Sequence, residues 1–421
     1  MMMRSPFSSN LLLNDKKLNG GSIMKETKDK LIFKVSLLSI SLFLMMAPQI
    51  SSALPLMYHA FPGVDKAGVE TLSTVPNFGI VIGLLVSPFL VRWFGQKPTI
   101  ILGLLVTLVT GTFPMYSSAY VPILISRFLI GLGIGLFNSL AVSLIPQFYK
   151  SDEQELASMI GYQNVMGSVG AALASFLLSY LVTISWHAAF AIYFLVIPAL
   201  LLFAIFVPLS KKKVNEQANS APVKKQTING KVVLISILMF FIFMFYMPVA
   251  FSLPSLIVNE GIGTTSTAAL VAGLSTLVGI PIGASFGFFF KHLHDKVFPL
   301  GFAFVALGFI LLAIANNIIF LFISVVVLGF GFGIGVPYMY NWLDWAAPQD
   351  SINLGTTIVL VLVNIGCFIS PTVINLIGSL VGNTSPRGIM ILSAAAFAII
   401  FVFALVHYLK VHKDQVNINK V

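Results

Sequence analysis

One cation stands inside the apolar stretches of this chain. Arg127, Gly131, Gly135 and Asn138 are spaced i, i+4, i+8 and i+11, which places them on one face of a helix. That face joins a guanidinium, two residues small enough for close helix approach, and an amide. A charge at the centre of a bilayer-spanning helix costs about 2.5–3.5 kcal/mol on insertion scales, so it needs an exit to water or a partner. Two readings follow. Arg127 lies about two turns from the end of its helix, within the reach of a side chain that snorkels to the interface. Alternatively it faces an internal path, where an anionic solute would neutralise it.

The acids bear on that choice. Asp65 and Glu70 are placed before a second apolar stretch, Glu260 after a seventh and Asp344 near the end of a tenth; none of the 14 acids falls at the centre of a stretch. A proton-coupled carrier needs a titrating group within its path, and Glu70 is the nearest substitute. Uncharged groups complete a candidate substrate site: Gln49 and Ser52, Gln163 and Asn164, Tyr246, Tyr338 with Asn341 three residues on, and Asn364. Asn364, Phe368, Pro371 and Asn375 share one helical face. Intramembrane amides also serve as helix-to-helix hydrogen bonds, worth about 0.6 kcal/mol each. Metal clusters, Ser/His/Asp arrangements and nucleotide-binding loops are not found. The one cysteine, Cys367, lies in an apolar stretch, which fits a small core residue. No enzyme activity and no cofactor are expected.

The elements that position these residues follow from composition. Of 421 residues, 57% are hydrophobic and 9% charged, against about 25% charged in soluble domains. That excludes a water-soluble enzyme, a disordered chain and a disulfide scaffold, and leaves an all-α membrane protein. Apolar stretches long enough to span recur near residues 33–58, 70–91, 98–118, 121–145, 156–181, 187–209, 231–257, 267–290, 297–316, 318–343, 353–381 and 388–410. These divide the chain into a segment 1–30, a six-helix half 31–209, a Lys-rich linker 210–230, a second half 231–410 and a tail 411–421. Asn19-Gly20-Gly21-Ser22 before Met24 can be encoded by a ribosome-binding sequence, so residues 1–23 read either as a misassigned start or as a polar tail.

The net charge is +10, and 21 of the 24 Lys and Arg residues fall on the two end segments, the linker and alternate loops or on the span ends that border them. By the positive-inside rule both termini are then cytoplasmic. This dispersal also excludes nucleic acid as a partner. A bacterial plasma-membrane monomer with a small-molecule substrate and the lipid bilayer as its partners is expected.

The halves repeat at an offset near 200. Pro48 and Pro55 match Pro248 and Pro254; Gly79-Ile80-Val81-Ile82-Gly83 matches Gly279-Ile280-Pro281-Ile282-Gly283; Gly131 and Gly135 match Gly331 and Gly335; Asn164 matches Asn364. Matches in order at one spacing argue for duplicated halves.

In this arrangement the chain resembles the major facilitator superfamily. Arg127-Phe128-Leu129-Ile130-Gly131-Leu132-Gly133 fits that family's fourth-helix pattern. The loop after the second helix keeps Gly95 and Lys97 of the family motif but has Arg92 where an Asp is usual, and its repeat carries Lys291 at that place. The resemblance implies a secondary transporter working by alternating access, with Arg92, Gly95, Lys97, Gly131, Gly135, Lys291, Gly331 and Gly335 as conformational positions and Arg127 toward the solute path. With no buried acid to pair with Arg127, the expected substrate is an amphipathic organic anion, such as a small carboxylate or a conjugated bile salt. Multidrug efflux is the alternative, although the fifth helix lacks the Gly-Pro signature of drug–proton antiporters, and a non-transporting sensor is a third reading.

Overall fold

In the computed structural model, residues 31–149, 152–209, 227–348 and 351–418 are described, with side chains through 410. The N-terminal segment, Lys150 and nearly all of the linker, on which several sequence readings rest, lie outside the described residues. No strand occurs among the described residues. Twelve spans account for the architecture, with the bent first pair taken as one. They are α1 (Leu31–Phe43 with Ala47–Ala60), α2 (Lys66–Phe94), α3 (Gln96–Thr112), α4 (Tyr120–Tyr149), α5 (Glu153–Ile184), α6 (Ala188–Phe206), α7 (Gly230–Asn259), α8 (Thr265–Ala284), α9 (Val297–Ile314), α10 (Ile318–Ala346), α11 (Ile352–Leu380) and α12 (Pro386–Ile418).

The prolines explain where the spans are irregular. A proline has no N–H, so the carbonyl four residues earlier loses its helical donor. In α1 the segment around Pro48 tightens to a 3-10 stretch, Ala47–Ala53, and the span bends by 52°. Its repeat, α7, breaks beside Pro248 and Pro254. Sequence periodicity gives α8 as continuous over 267–290. Instead the helix stops at Ala284, where the Ser285 N–H bonds back to Pro281 and Ile282, and a separate short helix, Phe286–Leu293, follows.

Each half has its own core, one centred on α1 to α6 and the other on α7 to α12. The glycines set how closely helices approach. A Cβ on Gly131 would lie 1.9 Å from the Pro76 carbonyl oxygen, and one on Gly79 would lie 2.1 Å from that of Phe128. The Gly131 and Gly135 face of α4 is therefore sealed against α2. The repeat is not copied here. Gly331 packs on Gly301 and Val305 of α9, while Gly279 and Gly283 of α8 have nothing within 4 Å of an added Cβ. In the second half the Gly331 and Gly335 seam joins α10 to α9, while Gly279 and Gly283 of α8 face open space and Gly333 of α10 lies against Ile282 of α8.

The two halves meet along α2 with α11, α5 with α8, and the bent portions of α1 and α7. The contacts cluster at the end of the molecule away from the linker, called here the far side. Gly273 of α8 sits against Ser175 and Phe176 of α5, and Phe78 of α2 stacks on Phe368 of α11 at 5.1 Å.

Candidate functional site

Arg127 is fully buried, at 0% exposure. Its Nε donates to the Leu72 carbonyl at 2.9 Å, one terminal nitrogen to the Tyr193 hydroxyl at 2.7 Å and the other to the Ala47 carbonyl at 2.6 Å. The Phe190 and Tyr193 rings lie 5.9 and 5.8 Å from its guanidinium carbon. The Leu72 carbonyl is available for a physical reason: Pro76, four residues on, supplies no N–H. The same logic recurs in the second half, where Pro248 frees the Met244 carbonyl and Ser370 Oγ donates to it at 2.6 Å. Arg127 thus neither snorkels nor opens to a path. It ties α4 to α1, α2 and α6, using carbonyls and a phenol in place of an acid.

Glu70 departs from expectation in the opposite direction. Asp65 caps α2 by accepting from the Gly68 N–H, and the helix begins at Lys66. Glu70 therefore lies inside the helix, not before it, and is 0% exposed. Its Oε1 accepts from the Tyr58 hydroxyl of α1 at 3.0 Å, and Lys66 Nζ stands 3.8 Å away. Its Oε2 accepts from Asn375 Nδ2 of α11, in the other half. Lys66 Nζ also donates to the Thr384 carbonyl between α11 and α12 at 2.8 Å, and Thr74 Oγ1 to the Phe368 carbonyl at 3.1 Å. The far side is thus closed by a polar latch around one buried carboxylate, with Phe78 on Phe368 below it. The Asn375 and Phe368 face seen in the sequence is the face that meets α2.

The remaining candidates divide by location. Gln49 Oε1 accepts from Ser175 of α5 at 2.8 Å, which joins α1 to α5. Ser52 is buried, and Gln163 is buried with its Oε1 unpartnered. Asn138 and Asn341 are half-buried in the linker-side parts of α4 and α10. Asn164 is exposed on α5; Asn364 is half-buried on α11, its Nδ2 donating to the Leu360 carbonyl at 2.8 Å. Tyr246 and Tyr338 do not join them. Tyr246 stacks on Phe332 at 3.8 Å, and Tyr338 stacks on Phe298 at 5.1 Å with its hydroxyl donating to Asp295 at 2.9 Å. Both are held within the second half. Tyr338 matched Asn138 by its place in the repeat, but the packing of α10 on α9 turns it inward against Phe298, and Tyr246 of α7 is turned against Phe332 of α10.

The loop positions are simpler. Gly95 takes a φ of +91°, a left-handed value that favours glycine, and ends α2. Lys97 Nζ donates to the Val207 carbonyl at the end of α6 at 2.8 Å. Arg92 and Lys291 are exposed on the linker side.

A family model described as the Major Facilitator Superfamily matches residues 35–371. The chain belongs to this superfamily. A curated relative from Rickettsia felis, described as an uncharacterized transporter, is 24% identical over 273 residues. That match covers 63% of this chain and 66% of the relative, slightly under two thirds of its length. A variant of the nucleoside transporter NupG superposes with a TM-score of 0.76 at 12% identity, covering 90% of this chain and 99% of that one. A POT family transporter bound to a thioalcohol-conjugated peptide gives 0.70 at 14% identity, over 89% and 96% of the two chains. These superpositions establish the fold of this superfamily member.

Proposed function

We propose that this transporter carries a small organic solute by alternating access, and that the structure is its far-side-closed state. The observation that carries the reading is the latch at Glu70, where a buried carboxylate of one half is held by Asn375 of the other. A rocking mechanism requires an interface that can release as well as close, and hydrogen bonds between halves satisfy that better than a sealed apolar seam. With the basic linker and ends on the cytoplasmic face, the state is open to the cytoplasm.

The solute class changes with the position of Arg127. An organic anion was expected because a lone guanidinium faced the path. Each of its three nitrogens donates to the protein, so the anion reading has lost the group that carried it. The half-buried and exposed amides Asn138, Asn164, Asn341 and Asn364 suit a neutral or zwitterionic solute recognised by hydrogen bonds. Solutes of the kinds named for NupG and the POT transporter, nucleosides and peptides, are consistent with such a lining. Multidrug efflux is the second expectation, and it would draw on the aromatic surfaces.

The test is a panel of labelled nucleosides, short peptides, carboxylates and lipophilic cations offered to proteoliposomes, with and without a pH gradient. Saturable uptake or exchange of a neutral or zwitterionic solute is expected, reduced at least tenfold in Asn138→Ala or Asn364→Ala. Selective transport of carboxylates would restore the anion reading, and transport of lipophilic cations alone would favour efflux.

A further inference from the structure

A cavity of about 370 Å³ opens at the linker-side end of the second half, far from the latch. It lies among the starts of α7 and α9 and the ends of α10 and α12. Its wall is a continuous run of rings. His407 packs on Trp342 at 4.4 Å, Trp342 on Phe298 at 5.6 Å, Phe298 on Tyr338 at 5.1 Å and Tyr338 on Trp345 at 6.0 Å. Asp295 reaches this wall and accepts from Tyr338, and Lys231 lines the same cavity. Among the described residues no cation stands within ion-pairing distance of Asp295.

The approach to the cavity is distinctive as well. Asp295 follows His294, a non-glycine residue at φ +50°, a region that side-chain-bearing residues seldom occupy. Before it runs the short helix Phe286–Leu293, with Phe286, Phe288, Phe289 and Phe290 ahead of Lys291 and His292 and no buried residue. An amphipathic helix of this kind suits the plane of the bilayer interface. Its Phe290 ring lies 5.8 Å from Trp345 and 6.3 Å from Tyr338, at the lip of the cavity. Trp and Tyr are common at head-group depth. That preference accounts for the rings, but not for a carboxylate set against them with no cation in direct contact.

We propose that this cavity binds a phosphoammonium zwitterion. Asp295 and the aromatic faces, chiefly Trp345, hold the ammonium, and Lys231 meets the phosphate. Aromatic faces attract ammonium groups through the ring quadrupole, and the attraction grows where water is excluded. Basic residues between helices at this depth receive phosphate head groups. The same chemistry is offered by the head group of phosphatidylethanolamine and by free O-phosphoethanolamine.

The experiment uses the full chain purified in detergent and reads binding alone, so its outcome is independent of the transport reading. Dihexanoyl phosphatidylethanolamine, O-phosphoethanolamine and dihexanoyl phosphatidylglycerol are titrated by calorimetry and by tryptophan fluorescence. Saturable binding of the phosphatidylethanolamine is expected, weakened about tenfold by Asp295→Asn and by Trp345→Ala. Trp345 is exposed and Asn is isosteric with Asp, and an unchanged melting temperature shows that each variant is folded. Binding of O-phosphoethanolamine as tight as that of the lipid would uphold the site and assign it a soluble ligand; binding at least tenfold weaker would assign the lipid. Equal binding of phosphatidylglycerol, or unchanged affinity in Asp295→Asn, would overturn the proposal.

Discussion

Glu70 of α2 accepts a hydrogen bond from Asn375 of α11, and this contact joins the two halves of the transporter through a carboxylate with no exposed surface. Tyr58 and Asn375 donate to its two different oxygens, so the closed state needs two acceptors at this position. Glu70→Gln keeps the shape but sets an N–H donor against one of these two donors. A shift of about 5- to 30-fold toward the far-side-open state is expected, corresponding to about 1–2 kcal/mol. Distances between spin labels on the far ends of α2 and α11 would report it, and an unchanged distribution would remove Glu70 from the latch.

Arg127→Ala is expected to damage the fold before it damages recognition. It strands the Leu72 and Ala47 carbonyls and the Tyr193 hydroxyl, at about 1–3 kcal/mol each. Thermal unfolding in detergent should show a large loss of stability. A variant as stable as the parent, yet selectively unable to move an anion, would return Arg127 to the substrate path.

The glycine seams predict opposite outcomes at matched positions of the repeat. Gly131→Ala drives a methyl group into the Pro76 backbone, and overpacking of this kind costs about 1–3 kcal/mol. Gly279→Ala meets nothing within 4 Å and should leave stability unchanged. Melting temperatures of the pair decide the point; equal losses at both sites would mean that α8 packs as α2 does.

Lys97→Ala should loosen the loop after α2 from the end of α6, since its Nζ is the donor to the Val207 carbonyl. A surface hydrogen bond of this sort is worth about 1 kcal/mol. Hydrogen exchange at the end of α6 should quicken, whereas Arg92→Ala, at an exposed position, should leave it unaltered.

The sequence made much of this legible. Apolar length placed the twelve spans, the prolines marked the bend of the first span and the helix breaks of the seventh, and the repeat announced two halves. The face of Asn364, Phe368, Pro371 and Asn375 was visible from spacing, and its Phe368 and Asn375 meet α2. Arg127 was located but misjudged, because its partners are carbonyls, and a carbonyl freed by a proline leaves only an indirect trace. Pro76 four residues after Leu72 was that trace. Glu70 was displaced by a boundary: the apolar stretch was begun at residue 70, which left Glu70 at its edge, while the Asp65 cap starts the helix at Lys66. Tyr246 and Tyr338 could not be placed from spacing, since a helix face fixes neighbours along one helix and not which helix lies across from it. That α10 packs on α9 where α4 packs on α2 is a tertiary fact that the repeat conceals.

The most direct test bridges the halves at the far side. Thr74→Cys and Phe368→Cys, in a Cys367→Ala background, place thiols on the α2 and α11 segments joined by the Thr74–Phe368 hydrogen bond. They are linked with a short reducible thiol reagent, and uptake of the solute identified in proteoliposomes is measured before and after reduction. The alternating-access account predicts that transport stops while the bridge is intact and returns when it is cleaved. Transport at the unbridged rate with the far side held shut would contradict it.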